Sequence, residues 1–175
     1  MQMRHIGKRR HWLDPVDPQG VSAEIDSPLG TVRVDRKRTG AVTSFGSRLE
    51  QWDFVLDGTC ILSVDGMFNA GYPARRRVRR GLDITLLGEP GRVSAARTLR
   101  PGRRYVRMST PTLAYEARTH FPGYIVRDGN GIERARYDGA FWEFEEPDPA
   151  AVAFASFFIA AALEPFMTSP LLEIF

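Results

Sequence analysis

From Val21 to Phe144, apolar and polar residues alternate in short runs broken by Gly, Pro, Asp and Asn. The alternation is plainest in Thr31-Val32-Arg33-Val34-Asp35 and in Tyr105-Val106-Arg107-Met108. A period of two sends one set of side chains to a buried face and the other to water, which marks a half-buried strand. The pattern predicts strands at Ser22–Asp26, Thr31–Asp35, Ala41–Phe45, Gln51–Leu56, Thr59–Val64 and Met67–Tyr72. It predicts further strands at Asp83–Leu87, Arg92–Leu99, Arg104–Ser109, Leu113–Thr119, Gly123–Arg127, Glu133–Tyr137 and Ala140–Phe144. Asp57-Gly58 and Asp128-Gly129-Asn130-Gly131 supply residues that tolerate positive φ, as tight hairpins require, and Asp65-Gly66 and Asp138-Gly139 repeat the signal. Many short strands at even spacing predict a sandwich or a closed barrel.

The pattern changes at Asp148-Pro149. Asp148 suits an N-cap and Pro149 the first helical position, and Glu145 and Glu146 sit where the helix dipole favours anions. The run Ala150–Leu163 is apolar on nearly every face, so the expected helix, 149–163, must be surrounded by protein or lipid before Pro165 ends it. Ala150–Leu163 as helix spans ~21 Å, short of the ~30 Å a bilayer core demands. A buried helix is therefore expected, and the lumen of a barrel built by the strands is its natural place.

This order resembles the tubby C-terminal-like superfamily, which includes tubby domains, phospholipid scramblases and the plant LURP-one-related proteins. The residues that carry the resemblance are the hairpin Tyr124-Ile125-Val126-Arg127-Asp128-Gly129-Asn130-Gly131, the strands that follow to Phe144, and Asp148-Pro149 with its helix. It is a likeness of architecture, and no signature residue carries over singly. It implies a mainly β fold: a closed barrel of about twelve strands with a hydrophobic C-terminal helix in its lumen, one domain over 21–175. It also implies no active site inherent to the fold. Tubby domains bind phosphoinositides through basic surface residues, so the resemblance directs attention to the basic surface here.

The length of 175 residues fits one domain, and the hydrophobic share of 43% with 26% charged excludes a mostly disordered chain, a collagen and a polytopic membrane protein. The single Cys60 excludes an intramolecular disulfide framework and a Cys-built zinc site, and is expected to be a buried structural thiol. Residues 1–20 start basic and turn Pro/Asp-rich without an apolar segment of signal-peptide type. They are expected to form an arm, either flexible or docked on a neighbour through Trp12 and Leu13. The tail Phe166–Phe175 ends in Leu171-Leu172-Glu173-Ile174-Phe175 and needs a surface to cover. A cytoplasmic location is expected, with peripheral membrane association left open.

The net charge of +3 conceals an asymmetry: residues 75–118 hold twelve Arg against three acidic residues, while 138–175 hold seven acidic residues and no Lys or Arg. Arg outnumbers Lys by 22 to 2, which suits either a GC-rich genome or bidentate recognition of phosphate and carboxylate. Arg75, Arg76, Arg77, Arg79 and Arg80 form the densest group, read as a surface loop that meets an anion. The plain alternative is a solvated basic loop that pairs with the acidic C-terminal segment. A second group, Arg97, Arg100, Arg103, Arg104 and Arg107, brackets Pro101-Gly102. It reads as an edge hairpin guarded by charge, with Arg103 and Arg104 able to join the anion site. Neither group has the interleaved aromatics of a single-strand nucleic-acid surface.

Catalytic signatures such as G-x-S-x-G, H-E-x-x-H, a P-loop and G-x-G-x-x-G do not occur. His5 and His11 lie in the arm, and His120 reads as a partly exposed turn residue. Glu143, Glu145 and Glu146 are explained by the start of the helix. The expectation is a binding module, without catalytic residues, cofactor or metal, whose partner is an anionic phospholipid headgroup or an acidic protein surface. The alternatives are a lipocalin- or cupin-like barrel with a ligand in its lumen, where the helix would pack outside, and a subunit of a larger assembly or oligomer.

Overall fold

The structure, a computed structural model, describes residues 2–6, 21–42, 48–67, 72–121, 123–138 and 141–168. Trp12, Leu13, Phe45, Gly139 and the tail beyond Thr168 lie outside the described residues. The chain is mainly β: β1 (Gln2–Ile6), β2 (Val21–Ser27), β3 (Gly30–Val42), β4 (Arg48–Leu56), β5 (Thr59–Met67), β6 (Leu82–Leu86) and β7 (Glu89–Ala96). There follow β8 (Tyr105–Ser109), β9 (Ala114–His120), β10 (Gly123–Asp128), β11 (Glu133–Tyr137) and β12 (Trp142–Phe144). Helix α1 (Tyr72–Arg80) joins β5 to β6, and α2 (Pro149–Ala160) follows β12.

Strands β2 to β12 form one antiparallel sheet in which each strand pairs with its neighbours in sequence. β1 pairs with β2 (Arg4 opposite Asp26) and with β12 (Met3 opposite Trp142), so residues 2–6 of the expected arm lie in the sheet. Asp57-Gly58 makes the expected hairpin, with φ of 47° and 79°. Asp65-Gly66 does not: Gly66 has φ 74° inside β5, where the register shifts against β4, and the strand runs on to Met67. This is a bulge, not a turn. Residues 31–35 and 41–42 likewise belong to one long strand, β3, with a register shift between Arg38 and Val42.

The inward positions follow the alternation: Val32 and Val34 on β3, Trp52, Phe54 and Leu56 on β4, Val106 and Met108 on β8, Trp142 and Phe144 on β12 are all buried. They close on α2, whose residues from Ala150 to Phe158 are buried on every face. Phe157 meets Phe54 edge-on with centroids 6.0 Å apart, and Phe158 lies 5.0 Å from Tyr124 and 5.4 Å from Trp142. α2 also runs beside β2 and β5, so it touches strands from both halves of the order. A helix packed outside the strands would keep one face in water, and α2 has no such face. Its apolar surround is what a helix hydrophobic all round requires.

Both ends of α2 are fastened. Asp148 accepts the Ala151 amide at 2.8 Å as N-cap and also a hydrogen bond from the Tyr115 hydroxyl at 3.0 Å. The far end closes before Pro165, earlier than the apolar run suggests. Ala162 adopts φ 52°, and the Leu163 and Ala162 amides donate back to the Phe158 and Ile159 carbonyls at 3.0 and 3.1 Å. This is a Schellman cap with alanine where glycine is usual.

These observations set three stabilities. Phe158→Ala is expected to cost about 3–5 kcal/mol in urea denaturation, because its neighbours come from α2, β10 and β12 and cannot all collapse inward. Asp148→Ala is expected to cost about 1 kcal/mol or more through the lost cap. Ala162→Gly is expected to add roughly 1 kcal/mol, since glycine has no steric cost at positive φ.

Candidate anion-binding surface

An antiparallel meander places alternate connections at the same end. At one end lie tight turns: Asp57-Gly58, Leu87-Gly88 and the Asp128–Gly131 turn, where the Asp128 carboxylate accepts the Asn130 and Ile132 amides at 2.9 and 3.0 Å. The other end carries two longer connections and one two-residue turn. α1 joins β5 to β6, a 3-10 turn at Pro101–Arg103 lies between β7 and β8, Phe121 lies between β9 and β10, and α2 ends there.

The group Arg75–Arg80 is helical, not a loop. Ala74 and Val78, one turn apart, are both buried and seat α1 against β5 and β7. Arginine is a good helix former, the three in the last turn suit the negative end of the dipole, and Gly81 closes the helix with φ 87° and its amide on the Val78 carbonyl at 3.0 Å. The spacing Ala74–Val78 before Gly81 was the legible signal for this helix.

The helix divides the five arginines. Arg76, Arg79 and Arg80 are exposed and Arg75 is half-buried. Arg77 turns back instead, its Nε donating to the Gly66 carbonyl at 2.9 Å, and the space beside Gly66 that a side chain would fill holds its guanidinium. Arg77 thus fastens α1 to the bulge in β5.

Arg103 and Arg104 also part company. Arg103 is exposed with Arg100 at the 3-10 turn. Arg104 is buried and donates to the carbonyls of Thr98 (2.8 Å), Leu99 (3.0 Å) and Met167 (3.2 Å). Its donors are committed to the chain, which corrects its placement in an anion site. Nor is this segment an edge hairpin, because β7 and β8 both have partners on two sides.

Elsewhere the surface basic groups are widely paired: Arg33 with Asp35, Lys37 with Asp53, Arg134 with Asp128, Arg136 with Glu133. Arg75, Arg76, Arg79, Arg80, Arg100 and Arg103 have no ion pair among the described residues. None of the described acidic residues of the C-terminal segment forms an ion pair with them. Asp148 caps α2, Glu146 approaches Arg134 at 3.6 Å, and Glu164 accepts the Tyr137 hydroxyl at 2.8 Å. The Tyr137 phenol is pushed up to about 12 by burial and by its bond to Glu164, so it stays a neutral donor.

Sequence reasoning missed a buried ion pair. Arg36 and Glu50 are 3% and 5% exposed and joined by two hydrogen bonds, Nε to Oε2 at 2.8 Å and Nη2 to Oε1 at 2.9 Å. Trp52 Nε1 donates to Oε2 at 2.8 Å, and the Arg36 guanidinium lies 5.1 Å from the Trp52 ring centroid. The signal was present: Arg36 continues the inward phase of Val32 and Val34, and Glu50 precedes Trp52 and Phe54 in the same phase. Cys60 is also corrected. It is exposed, on the outer side of β5, and its thiol is held above its ordinary value by partial burial and the Asp53 carboxylate, which opposes a reactive thiolate. Among the described residues there is no cluster of His, Cys, Asp and Glu able to hold a metal ion and no helix long and apolar enough to cross a membrane.

Glu50→Ala is expected to cost about 3–5 kcal/mol, because it strands the buried guanidinium; the double variant Arg36→Met/Glu50→Leu is expected to recover most of that in the same denaturation assay. Asp53 is held below the usual carboxylate range by bonds from Lys37, Ser63 and Gln51, which outweigh its desolvation. A depressed carboxylate stabilises the fold above its unfolded value and loses that contribution as pH falls. The wild type is therefore expected to lose more stability than Asp53→Asn between about pH 6 and pH 3.

No protein-family model, curated protein or solved structure matches the chain.

Proposed function

We propose that the chain is a non-enzymatic binding module that docks on anionic phospholipid headgroups at a membrane periphery, on the cytoplasmic face. In this reading the sheet acts as a closed, tubby-like barrel threaded by its C-terminal helix. Two features support the closed form: β1 pairs with both β2 and β12, and α2 touches strands of both halves of the sheet. The interior is then filled by the protein itself, and recognition falls to the outside.

The observation that carries the reading is the face of α1. Arg75, Arg76, Arg79 and Arg80 stand on one short helix with no ion pair among the described residues, anchored from below by Ala74, Val78 and Arg77. Guanidinium groups held this way are free to meet an external anion, and their forked geometry fits phosphate oxygens. Near an anionic membrane each basic residue contributes about 1 kcal/mol, so four together bind usefully although each alone is weak. An acidic protein surface would satisfy the same charge, but the phosphate-rich plane offers many anions at once to a row of side chains.

Vesicle sedimentation tests this. Vesicles with about 30% phosphatidylserine or phosphoinositide are expected to bring down the protein where neutral phosphatidylcholine vesicles do not. Arg75/Arg76/Arg79/Arg80→Gln is expected to weaken binding by two to three orders of magnitude. Equal recovery on neutral and anionic vesicles, or an unchanged quadruple variant, overturns the reading.

A further inference from the structure

We propose that Phe121 and Leu99 are membrane-inserting anchors, so that the end of the sheet bearing α1 penetrates the lipid interface and does not only touch its charge. The inference rests on the reading above and adds an apolar component to it.

Among the described residues four large apolar side chains are exposed: Phe121 at 94%, Leu99 at 65%, Ile132 at 52% and Leu87 at 41%. Single exposed apolar residues are ordinary on any surface. What separates these is their place. Leu87 and Ile132 lie in the tight turns of the opposite end, where the carboxylates of Asp57 and Asp128 also stand. Phe121 and Leu99, the two most exposed, lie at the end that carries the arginines without an ion pair among the described residues.

The two are held on one stretch of rim. The Leu99 carbonyl accepts from buried Arg104, and Arg104 also donates to the Met167 carbonyl, which the Thr119 hydroxyl approaches at 3.4 Å, two residues before Phe121. Arg118 Nη1 donates to the Gly102 carbonyl at 2.9 Å, tying β9 to the 3-10 turn again. Arg100 and Arg103 stand exposed in the same connection as Leu99. In strand order the rim therefore reads α1 after β5, Leu99 with Arg100 and Arg103 after β7, and Phe121 after β9. At ~4.8 Å per strand this arc covers on the order of 20 Å, the width over which a flat surface can meet all three.

An exposed aromatic ring and an exposed leucine, flanked by arginines, suit one partner chemistry in both parts: the headgroup and upper acyl layer of an anionic bilayer. Aromatic and aliphatic side chains bury there while guanidinium groups stay at the phosphates. A soluble polyanion or a nucleic-acid backbone would match the charge and leave Phe121 and Leu99 in water.

The experiment uses the full chain. Phe121→Trp is expected to add emission that shifts to the blue on anionic vesicles and is quenched by lipids brominated high on the acyl chain, beyond any change in the wild type. In sedimentation, Phe121→Ser/Leu99→Ser is expected to weaken partitioning by at least roughly tenfold, and the residual binding of the wild type in ~0.5 M salt is expected to vanish. Leu87→Ser/Ile132→Ser, at the other end, is expected to bind as the wild type does. All these sites are exposed, and matching thermal melts confirm that each variant is folded. Wild-type binding to anionic vesicles without a blue shift, without quenching and without loss in the Phe121/Leu99 variant overturns the anchors and leaves the electrostatic reading intact. Failure of the wild type to bind anionic vesicles at all overturns both.

Discussion

A helix without a polar face imposes the architecture. From Ala150 to Phe158 every residue of α2 is buried, and water cannot be the neighbour of any side of it. The strands meet that demand by curling, so that Phe54 on β4 and Trp142 on β12 reach the helix from different directions. Large inward side chains follow from the same need, because a helix of alanines and phenylalanines leaves gaps that Trp52, Phe54, Tyr124 and Trp142 fill. Packing at native density then leaves the interior as core.

With α2 packed against the inner face of the sheet, the two ends of the meander differ in what they offer at the surface. Tight turns spend few residues and carry little beyond their own hydrogen bonds. At the opposite end the connection from β5 to β6 is a helix, and among the described residues its exposed arginines have no ion pair, while its underside is fixed by Ala74, Val78 and the bond from Arg77 to Gly66. A fixed helix matters, since a backbone that is already ordered loses less entropy on meeting a partner.

Much of this was legible in the residues, and the misses have physical causes. Most strand positions followed from period-two alternation, and the helix start from Asp148-Pro149, because both signals are local; the strand expected at Met67–Tyr72 did not, since Met67 closes β5 and Tyr72 opens α1, where the spacing of Ala74 and Val78 sets a helical period. The Asp65-Gly66 turn failed because a glycine at positive φ serves a bulge as well as a hairpin, and only the strand opposite decides between them. α1 was hidden by charge: five arginines in six positions read as repulsion and solvent, while the two small apolar residues that seat the helix were overlooked. Arg104 and Arg103 are adjacent and chemically identical, yet one is buried against three carbonyls and the other faces solvent. That distinction comes from tertiary placement, which composition does not carry. Arg36 and Glu50 were readable from strand phase alone, but a charge in a core position runs against expectation until its partner on the next strand is known.

The position of α2 along the chain also bears on how the protein is made. Every strand that surrounds the helix is synthesised before it, so the nascent sheet emerges with its apolar face unfilled and no core to close on. Contacts such as Phe54 with Phe157 join residues far apart in sequence, and folding waits on the last of them. Until α2 arrives, the inner surfaces of a dozen short strands are open to one another and to neighbouring chains. The interval between translation and closure is therefore the time at which this fold is most exposed to aggregation and most dependent on chaperones.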